Sequence, residues 1–202
     1  GAGSIRRFGT DIARAGPTKR RALGLNFVPE ERLGRGAVPM QSLAANTLLT
    51  RREPLRALGW IDVKATHALA TKLIERFNVK AGGSSAAAKS LSGGNLQKFI
   101  VGREIDAQPK VLIVAQPTWG VDVGAAAQIR ADLLALRDAG CAVLVVSEEL
   151  EELFELSDRL VVIARGRLSP SIAARDATVE QIGQWMAGLF DSPADEELEA
   201  PH

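Results

Sequence analysis

The stretch Leu91-Ser92-Gly93-Gly94-Asn95-Leu96-Gln97 limits what this chain can fold into more than any other. A small hydroxyl residue and two glycines open an amphipathic run containing Phe99, Ile100 and Ile105, which describes a helix start whose backbone N–H groups lie bare. Bare amides at a helix start attract anions, and the helix dipole adds partial positive charge there. Ser92 caps such a helix and still offers its hydroxyl to a phosphate, while Gly93 and Gly94 leave the amides unshielded. On this stretch alone, a plain Ser/Gly-capped helix after a flexible Ala81–Lys89 region explains the pattern equally well.

The second constraint follows about twenty residues later. Val111-Leu112-Ile113-Val114, bounded by Pro109 and Pro117, reads as a buried parallel strand. It runs into the loop Ala115-Gln116-Pro117-Thr118-Trp119-Gly120-Val121-Asp122-Val123-Gly124. Asp122 caps a helix from Val123 to about Ala139, with Ile129, Leu133 and Leu136 on its inner face, and Ala142–Val146 is the next buried strand. Strand, helix and strand in this order make a right-handed parallel unit, so the fold class is α/β.

Together the two stretches resemble the ABC-transporter ATPases, with LSGGN as the signature motif, VLIVAQPT as the Walker B strand and GVDVG as the D-loop. The form is most similar to the second, C-terminal nucleotide-binding domain of importers for simple sugars and nucleosides, and the likeness runs from about Ile5 to Leu168. The wording Gln116-Pro117-Thr118-Trp119 leans toward the nucleoside type. The resemblance implies a partial P-loop NTPase (RecA-like) core of ABC ATPase type with a helical subdomain. Residues 1–36 and 108–190 then form the core, residues 37–107 the helical subdomain ending in the signature helix, and the acidic residues 191–202 a disordered tail.

No Gly-x-x-x-x-Gly-Lys-Ser/Thr loop occurs anywhere in the 202 residues, and Gly1–Ser4 reads as a turn or an expression leftover. The sequence therefore resembles such a domain entered just after its phosphate loop. Ile5–Phe8 and Leu23–Val28 are short strand candidates separated by Gly16-Pro17 and a basic half-turn. Ser42–Leu49 is a short helix, and Asp62 caps Val63–Phe77, whose Leu69, Leu73, Ile74 and Phe77 form an apolar stripe. Leu160–Ala164 and Arg165-Gly166-Arg167 give a hairpin-like edge, and Thr178 with Gln181 forms a capping box for a last helix through Leu189.

Composition excludes several classes. At 46% apolar, 202 residues suit one well-buried domain. No apolar run approaches the ~20 residues that cross a bilayer, and no signal peptide opens the chain, so membrane association is expected to come through a partner. Residues 1–64 carry 12 basic and 5 acidic side chains, but the clusters lack interleaved aromatics, which argues against nucleic acid. Cys141 reads as a small core residue, and His67 and His202 are too scattered for a metal site.

By resemblance, the catalytic half is degenerate. Ala115 stands at the Walker B aspartate position, and its methyl group offers a magnesium ion nothing. Gln116 stands at the catalytic glutamate position, where an amide orients water without accepting its proton. Glu148, in Ser147-Glu148-Glu149, stands at the switch histidine position. Glu30, in Pro29-Glu30-Glu31-Arg32, either takes the Q-loop glutamine's place or belongs to an exposed charged loop.

What survives is the half that completes a partner's site. By the same resemblance, Ser92 would bond a γ-phosphate oxygen, Gly93 and Gly94 would present amides, Asn95 or Gln97 would hold the loop or reach the ribose, and D-loop Asp122 would cross the dimer boundary. The implied partners are an N-terminal nucleotide-binding domain with an intact Walker A loop, transmembrane permease subunits docked on the helical subdomain, and indirectly a solute-binding protein. Met40, Leu48, Leu49, Leu55 and Trp60 either line that docking groove or are buried. ATP and Mg²⁺ are expected only in the complete two-domain assembly, on the inner face of the cell membrane, with the isolated chain nearly inactive. The alternative is a non-catalytic ABC-like regulatory or scaffold domain.

Overall fold

The structure, a computed structural model, describes residues 4–7, 9–51 and 59–190. The expected tail at 191–202 and the groove candidate Leu55 lie outside these residues. The chain divides into two compact units, residues 1–146 and 147–202.

The first unit is built on a three-stranded parallel sheet in the order β3-β4-β5, formed by Leu25–Val28, Val111–Ala115 and Ala142–Val146. A two-stranded hairpin, β1 (Arg6–Arg7) with β2 (Thr10–Asp11), precedes it. The strand expected at Ile5–Phe8 is thus one arm of a short hairpin, and the expected basic half-turn is a helix, α1 (Pro17–Ala22), with proline in its first turn. Helix α1 has no buried residue, so it lacks the apolar stripe by which helices are read.

Between β3 and β4 the chain forms α2 (Leu43–Thr47), α3 (Val63–Arg76), a 3-10 turn over Ala88–Ser90, and α4 (Gly93–Asp106). Ser42 and Asp62 cap α2 and α3 through the amides three residues on. The buried face of α3 is Thr66, Ala70 and Leu73, continued by Phe77, while Leu69 and Ile74 are only half-buried. Phe77 packs on Gly102 of α4, where an added Cβ would lie 2.4 Å from the ring. Met40, Leu49 and Trp60 are exposed and Leu48 is half-buried.

Helix α5 (Val123–Asp138) carries the chain from β4 to β5 and buries Ile129, Leu133 and Leu136. Cys141 is buried just before β5, and burial pushes its thiol pKa up.

Burial alternates across the sheet. Asn26, Val28, Leu112 and Val114 are buried, whereas on the other face Phe27, Leu144 and Val146 are 44%, 55% and 52% exposed. Phe27, Ile113 and Leu144 stand in one cross-strand row. The β5 strand, read as buried because all its residues are apolar, therefore has an open face. Parallel sheets generally have both faces covered.

The second unit contains α6 (Leu150–Leu156), β6 (Arg159–Leu160), β7 (Ile163–Ala164), β8 (Arg167–Leu168), β9 (Ile172–Ala173) and α7 (Val179–Met186). Strands β7 and β8 form the expected hairpin, turned by Arg165 and Gly166 at φ +51° and +78°. Strand β6 pairs with β9, and the Gln181 amide donates to Thr178 Oγ1 at 3.1 Å as the cap of α7. That helix ends at Met186 rather than Leu189.

Candidate functional site

The start of α4 is open to solvent: Ser92 and Gly93 are exposed, and Gly94 and Asn95 are half-buried. The Leu96 amide donates to the Ser92 carbonyl at 2.9 Å, so the Gly93 and Gly94 amides ahead of it point out of the helix start. Ser92 Oγ accepts from Asn95 Nδ2 at 2.9 Å and, at the long distance of 3.5 Å, from the Asn95 amide. Both bonds use oxygen lone pairs, which leaves the hydroxyl proton to donate outward. Asn95 Oδ1 accepts from the Lys80 amide at 2.8 Å, so this side chain holds the cap with both ends of its amide.

Gln97 is placed differently from a nucleotide contact. It is 1% exposed; its Oε1 accepts from Arg32 Nε at 3.2 Å and its Nε2 donates to the Pro117 carbonyl at 3.0 Å. Of the two roles open to it, the structure shows the internal one, tying α4 to the loop after β4. Helical periodicity explains this, since Gln97 lies in one stripe with Ile100, Val101 and Glu104, all of them buried.

Asp122 caps α5, with Oδ1 accepting from the Ala125 amide at 2.9 Å. That backbone hydrogen bond holds the exposed carboxyl below the usual carboxylate range. The two glycine-bearing loops run side by side: a Cβ on Gly94 would lie 3.5 Å from Asp122 Oδ2, and one on Gly93 would lie 3.8 Å from the Gly120 carbonyl. Lys80, Asn95, Lys98 and Asp122 rim a pocket of about 280 Å³ beside the helix start, and Lys98 Nζ donates to the Asn78 carbonyl. The two lysines were not singled out from sequence. Lys98 stands on α4 itself, one turn past Asn95, whereas Lys80 is brought to the helix start by the turn after α3.

Glu30, exposed, and Gln116 follow the carboxyl ends of the neighbouring strands β3 and β4. Gln116 turns the chain at φ +48° and donates its amide to the Val146 carbonyl at 2.7 Å. Glu148 is exposed in the second unit, just before α6. These residues do not fit a magnesium ion: Ala115 presents a methyl group, Gln116 a neutral amide, and no group of three or more His, Cys, Asp or Glu gathers among the described residues. The helix start suits oxyanions, with outward amides, a free hydroxyl proton and lysines nearby.

No family model matches the sequence. The chain is 39% identical over 188 residues to the nucleoside import ATP-binding protein NupA of Lactococcus lactis, covering 92% of this chain and 37% of the relative. It is 40% identical over 194 residues to the guanosine import ATP-binding protein NupO of Bacillus subtilis, covering 95% and 38%. It is 37% identical over 182 residues to the ribose import ATP-binding protein RbsA 2 of Streptomyces coelicolor, covering 90% and 35%. The chain thus spans somewhat over a third of the length of the curated relatives it matches.

Among solved structures, an ATP-binding cassette in a dimeric post-hydrolysis state bound to ADP and Pi superposes with a TM-score of 0.69 at 15% identity, covering 87% of this chain and 75% of that one. A nucleotide-free ATP-binding cassette from an ABC transporter superposes at 0.66 and 19% identity, covering 100% and 78%. Over most of its length the chain is similar in sequence to import ATP-binding proteins, and its fold is that of the ABC ATPase nucleotide-binding domains.

Proposed function

We propose that this chain is the C-terminal nucleotide-binding domain of an import ATPase for nucleosides or sugars, and that it lends its signature motif to ATP held by another domain. The observation that carries this reading is the open start of α4. There Ser92 has an unspent hydroxyl proton and Gly93 and Gly94 have outward amides, while Ala115 has removed the carboxylate that would support a metal ion in the same chain. Such a domain binds the far side of a triphosphate weakly by itself and strongly once the near side is supplied, because closure excludes water around the donors.

Three further observations support the reading. The relatives of comparable wording are named as import ATP-binding proteins for nucleosides, guanosine and ribose. The open sheet face at Phe27, Leu144 and Val146 suits a core that receives another element, as a strand–phosphate-loop–helix segment would provide. The exposed Met40, Leu49 and Trp60 lie in residues 37–107, which we assign as the helical subdomain and as the face toward a permease, with the α/β core at 1–36 and 108–190. Among the described residues no helix is long and apolar enough to cross a membrane.

Photocrosslinking with azido-ATP tests this. The chain alone labels poorly, and pairing it with a domain that carries an intact Walker A loop raises both labelling and turnover. Ser92→Arg, which places bulk and charge at the exposed helix start, abolishes that stimulation and leaves the fold intact. Strong labelling of the isolated chain, or stimulation unchanged by Ser92→Arg, refutes the assignment.

A further inference from the structure

Arg32 sits where three segments of the site meet. Its Nε donates to Gln97 Oε1 at 3.2 Å, and Gln97 passes the tie to the Pro117 carbonyl at 3.0 Å. Its guanidinium carbon lies 5.7 Å from the centre of the Trp119 ring. A Cβ on Gly93 would fall 2.8 Å from Nη1, and a Cβ on Gly120 3.7 Å from Nη2. Nη2 is buried without a hydrogen-bond acceptor, and among the described residues no carboxylate forms an ion pair with Arg32. Burial accordingly lowers the guanidinium pKa.

A part-buried cation with no counter-charge is unfavourable for stability, so stability alone gives no reason for an arginine here. Geometry does. A planar guanidinium can lie over an indole ring while its Nε edge bonds an amide, and no other side chain combines these contacts. Glycine at 93 and 120 leaves the width that the plane occupies. Nη2 is covered, so an incoming phosphate does not reach it, and the group acts through what it spaces.

We propose that Arg32 is a positioning residue: its guanidinium, wedged between Gly93 and the Trp119-Gly120 turn, sets the distance between the signature helix start and the loop that leads to Asp122. The proposal rests on the reading that this surface meets a triphosphate, and its test separates the two.

Arg32→Lys keeps the charge without the plane, and Arg32→Met keeps neither. Amide hydrogen exchange on the 202-residue chain is expected to accelerate about tenfold at residues 118–122 in both variants. The melting temperature should fall by less than about 4 °C, as for a local loosening. Paired with a Walker A-bearing domain, both variants should lose about tenfold in kcat, with KM for ATP within about twofold, because the surface engages only on closure. Unchanged exchange, wild-type exchange restored by lysine, or acceleration spread over the whole chain with a large drop in melting temperature each overturns the positioning role. So does an unchanged kcat where the wild-type pair is active. A wild-type pair without turnover defeats the functional reading instead, and the exchange measurement still decides the case of Arg32.

Discussion

Replacing Arg103 by methionine removes three hydrogen bonds from the last turn of α4. Its Nε donates to Glu104 Oε1, its Nη1 to the Asn46 carbonyl and its Nη2 to the Gly36 carbonyl, each at 3.0 Å, and the side chain is 2% exposed. Breaking a buried ion pair from one side typically costs about 3–5 kcal/mol, and orphaning a buried carbonyl about 1–3 kcal/mol. Three features pull the loss below that sum. Glu104 keeps Arg21, whose Nη1 lies 2.8 Å from Oε2, and the Asn46 carbonyl keeps a long bond from the Leu49 amide at 3.4 Å. Methionine also fills much of the vacated apolar space. The expected loss is about 3 kcal/mol, which at a typical urea m-value moves the unfolding midpoint down by about 1 M or more. The double variant Arg103→Met with Glu104→Leu removes the orphaned charge together with its partner, so it should lose less than the sum of the two single variants. Urea titration followed by circular dichroism gives all four stabilities. A single-variant loss under about 1 kcal/mol, or strict additivity in the cycle, refutes the claim that this charge is held by burial among its partners.

Two further perturbations test the packing of α4. Asp106 is buried between Arg51 at 3.0 Å, Lys72 at 3.1 Å and Arg76. Burial alone raises its pKa, yet the hydrogen bonds from Lys72 and Arg51 together with their charges hold it below the ordinary value. A depressed folded pKa contributes stability above the unfolded pKa near 3.9 and loses it as pH falls through the folded value. The acid limb of the stability–pH curve below about pH 4 should therefore flatten in Asp106→Asn, and an unaltered limb would assign acid unfolding elsewhere. Gly102→Ala should cost about 1–3 kcal/mol in a thermal melt, because its Cβ would meet the Phe77 ring at 2.4 Å. Adding Phe77→Leu should return part of that loss, and a neutral Gly102→Ala would mean that α3 and α4 are not pressed together at this point.

Much of the local structure was legible because its causes are local. Ser42, Asp62, Ser92, Asp122 and Thr178 each accept from the amide three residues on, so each cap is written within four consecutive residues. The parallel order of β4 and β5 around α5 follows from an apolar run, a capped helix and a second apolar run. The alternation in β5 was not legible, because Ala-Val-Leu-Val-Val has no polar residue to mark which face is open. Helix α1 was missed for the opposite reason. Its sequence is basic and its ties are made by charged side chains, Arg20 to the Ala13 carbonyl and Arg21 to Glu104.

The site was legible only where residues near in sequence form it. Ser92, Gly93, Gly94 and Asn95 announce an open helix start, but whether its donors are held still depends on contacts across 65 and 67 residues, Arg32 to Gln97 and Arg103 to Gly36. Those contacts decide more than placement. Donors aimed at a developing charge help most when they need no rearrangement to meet it, so a helix start is useful in proportion to how firmly its far end is anchored. Here the far end carries Arg103, Glu104 and Asp106 in a buried charged network, and the near end is tied through Gln97 to the loops after β3 and β4. Charged side chains inside a helix that could have been apolar cost stability rather than add to it. Their geometry nonetheless fixes α4 against two loops and the preceding helices at once. Donors anchored in this way at both ends of their helix are what a domain completing another domain's nucleotide site would require.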